Sequence, residues 1–193
     1  MNLKASKIFS AVGMAGLLAC GAGALLGQAS GGSTPQMDSG SKKMMKSPDT
    51  AFAIKAAQGG LAEVKLGQLA VEKAANPDVK AFGQQMVDDH TKANDQLKSV
   101  AQGENMTLPA DLDAKQQAMY DKMSKMSGAD FDKAYVKDMV KDHEEDVKEF
   151  KKESTNGKDP QIKSFATQTL PVLQGHLDKI KGIQAKMGNG SSM

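Results

Sequence analysis

Long segments in which apolar residues recur every three or four positions constrain this chain more than any other feature of its sequence. Phe82, Met86 and Leu97 follow this spacing in one segment, and Val136 and Val140 follow it in another. The spacing places apolar side chains on one face of an α-helix. The sequence contains no alternating run of β-branched residues, which is the pattern of a half-buried strand. The chain is therefore predicted to be all-α.

Proline and glycine divide this helical pattern into five helices. Pro48, Pro77 and Pro160 each stand where a first helical turn would begin. A loop is expected at 103–109, followed by a shorter and weaker helix that ends near Met126. The pattern predicts an up-down bundle of four long helices with one shorter helix.

The first residues have the layout of an export signal, with two lysines before a short apolar run. Three interpretations stay open. Cys20, in the sequence LLACG, is a candidate lipidation site, in which case the signal ends at residue 19. Cleavage after Ala29 would instead remove residues 1–29, and an apolar run retained as a membrane anchor is the third reading. Either cleavage predicts export to the periplasm or outer membrane, with membrane attachment only through the signal or a lipid.

Residues 30–48 consist mainly of glycine, serine, lysine, methionine and proline, so a flexible linker is expected there. The bundle is expected at 49–187, followed by a short disordered tail at 188–193. The bases are all lysine, and the chain has no tryptophan. Without arginine forks or aromatic platforms, nucleic acid is not an expected partner.

The three histidines of the chain occupy related places in the helical pattern. His90 and His143 stand in a repeated frame, Met-Val-x-Asp-His, and His176 lies four residues after Val172. Each lies on the apolar face of its helix, near the middle, and Glu63 does the same in the first helix. We expect three imidazoles and one carboxylate to meet in one central layer of the bundle.

A layer of this composition has two interpretations. It could be a purely structural network of histidine and glutamate hydrogen bonds. It could also bind one zinc, iron(II) or copper(II) ion through Glu63, His90, His143 and His176, since these ions accept imidazole ligands. A copper(I) variant of the metal reading would add the thioether of Met86 or Met139, each four residues before a histidine. No protein partner can be assigned from the sequence.

Four segments, GGLAEVKLGQLA, VKAFGQQMVDDHTKAN, FDKAYVKDMVKDHEEDVKEF and LPVLQGH, resemble the bacterial domain of unknown function 4142 family. The resemblance implies an exported protein with a ferritin-like four-helix bundle and no established activity. The Glu-x-x-His motif of di-iron bundles is missing, because Val87, Val140 and Leu173 stand three residues before the histidines. A ferroxidase is therefore the weakest reading, and the chain is expected not to be an enzyme.

Overall fold

The computed structural model describes residues 47–189, and these residues contain five helices and no strand. The predicted signal, Cys20, both cleavage sites and nearly all of the predicted linker lie outside them. None of the described helices is both long and apolar enough to cross a membrane. The all-α prediction is confirmed. The helices are α1 (Pro48–Lys73), α2 (Pro77–Gly103), α3 (Ala114–Ser124), α4 (Gly128–Asn156) and α5 (Pro160–Asn189).

Helices α1 and α2 begin where their capping residues stand. The Ser47 side chain accepts a hydrogen bond from the Thr50 amide at 3.0 Å, and the Asn76 side chain accepts one from the Asp78 amide at 2.8 Å. A proline follows each cap, where its missing N–H costs no hydrogen bond. Helix α1 thus begins at the last residue of the segment expected to be linker.

Two carboxylates near helix starts fix the direction of the helices. Asp132, near the start of α4, accepts from the Asn76 amide in the α1–α2 turn at 2.9 Å. Asp49, near the start of α1, accepts from the Lys158 amide in the α4–α5 turn at 2.8 Å. Helix α4 therefore runs antiparallel to α1 and parallel to α2, while α5 runs parallel to α1.

The connection between α2 and α4 explains this arrangement. Residues 104–127 return along the bundle, and α3 within them lies against α1 and α4. The four-helix bundle with one shorter helix agrees with the sequence, but the directions of the four long helices do not simply alternate, since α4 runs parallel to α2. Helical periodicity carries no information about the path of a long connection, and the helix midpoints still lie at one level.

The apolar core consists of two clusters, one toward each end of the bundle. Phe82, Phe131 and Tyr135 belong to the cluster near the α1–α2 turn. Phe52 and Phe150 belong to the cluster at the other end, where their ring centroids lie 4.9 Å apart. Buried polar residues lie between the two clusters in sequence on every long helix, and they form the candidate site.

Candidate metal centre

The structure brings the four residues singled out in the sequence into one buried layer, each from a different long helix. Glu63 comes from α1, His90 from α2, His143 from α4 and His176 from α5. Their exposed fractions are 1%, 5%, 0% and 1%. A bundle interior of this kind normally contains apolar side chains, so four polar groups at one level require a specific explanation.

The row of inward-facing apolar residues on α5 differs by one residue from the row predicted from the sequence. Val172 is 42% exposed, whereas its neighbour Leu173 is 1% exposed. Both are aliphatic, and spacing alone did not distinguish them. His176 is three residues after Leu173 and four before the buried Ile180, so it lies on the apolar face with either assignment.

The hydrogen bonds of two histidines define their tautomers. The Nδ1 atom of His143 lies 3.0 Å from the Met139 carbonyl oxygen. A carbonyl can only accept, so this nitrogen carries the proton and Nε2 carries the lone pair. The Nε2 atom of His176 lies 2.8 Å from the Asp89 carboxylate. An ionised carboxylate also only accepts, which leaves the lone pair of His176 on Nδ1.

The third histidine is held by the buried glutamate. The Nδ1 atom of His90 lies 2.8 Å from Oε2 of Glu63. When Glu63 is ionised, Nδ1 donates to it and the lone pair of His90 is on Nε2. The other oxygen of Glu63, Oε1, lies 3.5 Å from Nε2 of His143 and has no hydrogen-bond partner among residues 47–189. Glu63 therefore orients His90 from outside the group of ring nitrogens.

The remaining three nitrogens have no hydrogen-bond partner within the described part of the chain. They are Nε2 of His90, Nε2 of His143 and Nδ1 of His176, all buried. Each ring offers one nitrogen within 4.8 Å of the nitrogens offered by the other two, and the ring centroids lie 5.4 to 5.9 Å apart. With Glu63 ionised, the layer supplies no donor to these three nitrogens, and a cation bound between the rings would satisfy them.

The electrostatics keep the imidazoles neutral. Burial, opposed by Asp142 and Asp89, lowers the pKa of His90 to about 4. Burial and the two other histidines lower the pKa of His143 to about 3, and burial also lowers the pKa of His176. Neutral imidazole is the form that binds metal, so the three histidines are in the metal-binding form at neutral pH.

The pKa values of the two carboxylates that bond to histidines, Glu63 and Asp89, shift in opposite directions. Burial, followed by repulsion from Asp142, raises the pKa of Glu63 well above its ordinary value. Partial burial also acts to raise the pKa of Asp89, but hydrogen bonds from His176 and Gln85 outweigh it and hold the pKa below its ordinary value. Asp89 is thus the ionised acceptor. A proton or a nearby cation would neutralise Glu63.

Sequence reasoning missed three acids around this layer. Asp89 bonds to His176 across the α2–α5 interface while its side chain stays 37% exposed. Asp142 approaches Glu63 together with Asp146. The sequence contains a spacing that indicates the position of the two α4 acids. Asp146 is three residues after His143 and four after Asp142, which places all three on neighbouring parts of one helix face.

The donor set fits a single transition-metal ion. Three imidazoles, each with its second nitrogen bonded to a carboxylate or a backbone carbonyl, form the ligand and outer-partner pattern of histidine metal sites. The outer partners are Glu63 for His90, the Met139 carbonyl for His143 and Asp89 for His176.

Solved structures share this fold at low sequence identity. A DUF305 fragment from Deinococcus radiodurans is 11% identical with a TM-score of 0.63, covering 72% of this chain and 97% of its own. A putative secreted DUF305 protein from Streptomyces coelicolor is 12% identical with a TM-score of 0.64, covering 75% and 94%. CopM in its Cu(I)-bound form is 14% identical with a TM-score of 0.61, covering 74% and 99%. At these identities the likeness shows the fold alone.

The sequence itself gives the family. No curated protein matches it. The model of DUF4142, a domain of unknown function, matches residues 34–183, which include all five helices except the last residues of α5. The chain therefore belongs to the DUF4142 family.

Proposed function

We propose that this protein is an exported helical bundle of the cell envelope that binds one metal ion at its centre. His90, His143 and His176 are the ligands. Glu63, which the sequence suggested as a fourth ligand, orients His90 and supplies negative charge beside the ion. The role is binding rather than catalysis.

One observation carries the proposal: three buried imidazole nitrogens without a donor. An unsatisfied buried polar atom costs roughly 1–3 kcal/mol of folding free energy. The site contains three of them, on His90, His143 and His176. Each of these rings also has one nitrogen within 4.8 Å of a nitrogen of the other two. A structural network would instead pair them with donors. A bound ion accepts all three lone pairs at once, which accounts for the arrangement.

Copper(I) and zinc are the ions we favour. Three neutral imidazoles suit both, whereas iron(II) sites usually add a carboxylate ligand. CopM, which shares the fold, is known in Cu(I)-bound and Ag-bound forms. That similarity supports testing copper(I) first, together with Met86 and Met139, whose side chains are fully buried near the layer in sequence.

Export is supported by the sequence before the bundle and by one structural relative. The lysines and apolar run at the start have the layout of a signal, with lipidation of Cys20 or cleavage after Ala29 as the two routes. The Streptomyces coelicolor relative is described as a putative secreted protein. Mass spectrometry of the native protein gives its first residue, and a mature chain beginning at Ser30 would eliminate the lipid route.

Metal analysis of protein purified without a histidine tag tests the binding proposal. The protein is loaded in turn with zinc, copper(I) under reducing conditions, and iron(II) under anaerobic conditions, then desalted and analysed for bound metal. We expect one equivalent of zinc or copper(I) in the wild type. His90→Ala, His143→Ala and His176→Ala should each lose it.

Two controls separate the alternatives. Met139→Leu keeps all three imidazoles, so loss of copper(I) but not zinc in that variant would indicate a thioether ligand. Oxygen consumption on addition of iron(II) tests the ferroxidase reading, for which we expect none above background. Wild-type protein that retains no metal under any of these conditions would leave the structural network as the account of the layer.

A further inference from the structure

A pocket opens beside the central layer, between α1, α3 and α4. Its volume is about 200 Å³, and its wall includes Asp142 and Asp146 from α4. Lys55 and Glu145 also line it. The metal-centre proposal above does not use this pocket.

Three carboxylates meet beside this pocket. Asp142 and Asp146 lie one turn apart on α4, and each offers an oxygen within 4.8 Å of the other and of an oxygen of Glu63 on α1. Glu63 is 1% exposed, and its Oε1 atom has no hydrogen-bond partner among residues 47–189. A buried carboxylate that has one oxygen without a donor and lies close to two further carboxylates is an incomplete set of ligands.

The charges of this cluster lack a dedicated counterion. Lys55, Lys115 and Lys141 line the pocket. Lys55 pairs with Glu149 and Lys141 with Glu145, both outside the cluster, and among residues 47–189 Lys115 forms no ion pair with the three carboxylates. The cluster therefore needs bound protons or a bound cation.

We propose that Glu63, Asp142 and Asp146 form a second cation site, made only of oxygen ligands, for a hard divalent ion such as Mn²⁺. Carboxylates and water are the ligands that such ions prefer, and the pocket has room for coordinated water. The site is distinct from the imidazole group in chemistry, because the latter offers only nitrogen. Glu63 belongs to both regions: Oε2 accepts from His90, while the carboxylate also faces Asp142 and Asp146. This proposal does not depend on metal binding by the histidines.

Electron paramagnetic resonance of Mn²⁺ tests the second site, because only the free hydrated ion gives the sharp six-line signal. Adding the full chain to Mn²⁺ should deplete that signal by one equivalent. Asp146→Asn and Asp142→Asn should each weaken Mn²⁺ binding at least tenfold. Thermal unfolding establishes that the variants are folded, and two separate variants ensure that one misfolded protein does not decide the result.

Glu145→Gln is the matched control. It removes one negative charge from the same pocket wall, but Glu145 is outside the carboxylate cluster. We expect its Mn²⁺ affinity to stay within twofold of the wild type. An equal loss in this variant would indicate unspecific attraction by surface charge and would overturn the proposal, as would a wild type that leaves the free signal unchanged.

His176→Ala distinguishes the two sites. It should lose zinc or copper(I) and keep Mn²⁺. If Mn²⁺ binding is lost in His176→Ala, the ion binds at the imidazoles, and the second site is wrong while the first stands. If Mn²⁺ binds as expected but neither zinc nor copper(I) is retained, the proposed function fails and the oxygen site stands.

Discussion

Replacing His143 with leucine separates a metal site from a structural network. The side chain is fully buried, its Nδ1 atom donates to the Met139 carbonyl, and its Nε2 atom has no hydrogen-bond partner in the described chain. In a metal site the histidine is retained at a cost to the stability of the metal-free protein. In a network it stabilises that protein. The sign of the change in stability on His143→Leu therefore decides between them.

The structure gives the expected magnitude. Removing the unsatisfied nitrogen should recover roughly 1–3 kcal/mol. Loss of the bond to the Met139 carbonyl costs roughly 0.5–1.5 kcal/mol. The edge contact with Phe82, whose ring centroid is 6.1 Å away, contributes about 0.5–1.5 kcal/mol that is also lost. Leucine burial adds about 1 kcal/mol over imidazole. We expect the metal-free variant to be about 1 kcal/mol more stable than the wild type.

Thermal and chemical unfolding of metal-free protein measure this change, which corresponds to a rise of roughly 3–5 °C in Tm. Added zinc or copper(I) should raise the Tm of the wild type by mass action and leave His143→Leu unmoved. Met139→Leu, one turn earlier and equally buried, should change stability by less than about 1.5 kcal/mol and keep the metal response. A metal-free His143→Leu that is less stable by about 2 kcal/mol would refute the reasoning and support the network.

Other predictions test separate parts of the account. Below pH 6.5 the metal-free wild type should lose stability relative to His143→Leu by up to about 1.4 kcal/mol per pH unit, down to about pH 3. The unfolded histidine binds a proton in that range while the folded one, with its lowered pKa, stays neutral; urea unfolding at several pH values measures it. Asp89→Asn should weaken zinc or copper(I) binding about 10–100-fold with little change in fold, measured by competition with a chelator of known affinity. Gly67→Ala should destabilise by roughly 2 kcal/mol or more, because its new Cβ would lie 2.7 Å from the Gly83 carbonyl oxygen. Gly59→Ala meets nothing within 4 Å and should be neutral or stabilising by up to about 1 kcal/mol, so equal Tm values for the two alanine variants would contradict the close packing of α1 on α2. Deleting residues 30–46 should leave the Tm unchanged, and a clear drop would show that this segment packs on the bundle.

The sequence was sufficient to predict the helices and the central layer. Helical spacing of apolar residues extends through each long helix, so a polar residue in phase with it, such as His90 or His143, has to point inward. Similar distances from the helix starts then place these residues at one level. Both inferences use only the 3.6-residue period and the rise per residue, which local sequence determines.

The remaining features depend on contacts between helices. The direction of α4 follows from the path of residues 104–127, which periodicity does not encode. Asp89 lies beside the inward stripe of α2, and only the position of α5 decides that it meets His176 rather than water alone. The association of Asp142 with Glu63 likewise needs the packing of α4 on α1. Residues at the border of a stripe are the ones that a single helix cannot assign.

X-ray absorption spectroscopy of protein loaded with one equivalent of zinc tests the central claim most directly. The spectrum reports the ligand types and their distances from the ion. The account predicts three imidazole nitrogens at about 2.0–2.1 Å, with the imidazole scattering reduced in His176→Ala. Zinc that is surrounded only by oxygen, or a spectrum unchanged in that variant, would contradict the assignment of His90, His143 and His176 as the ligands.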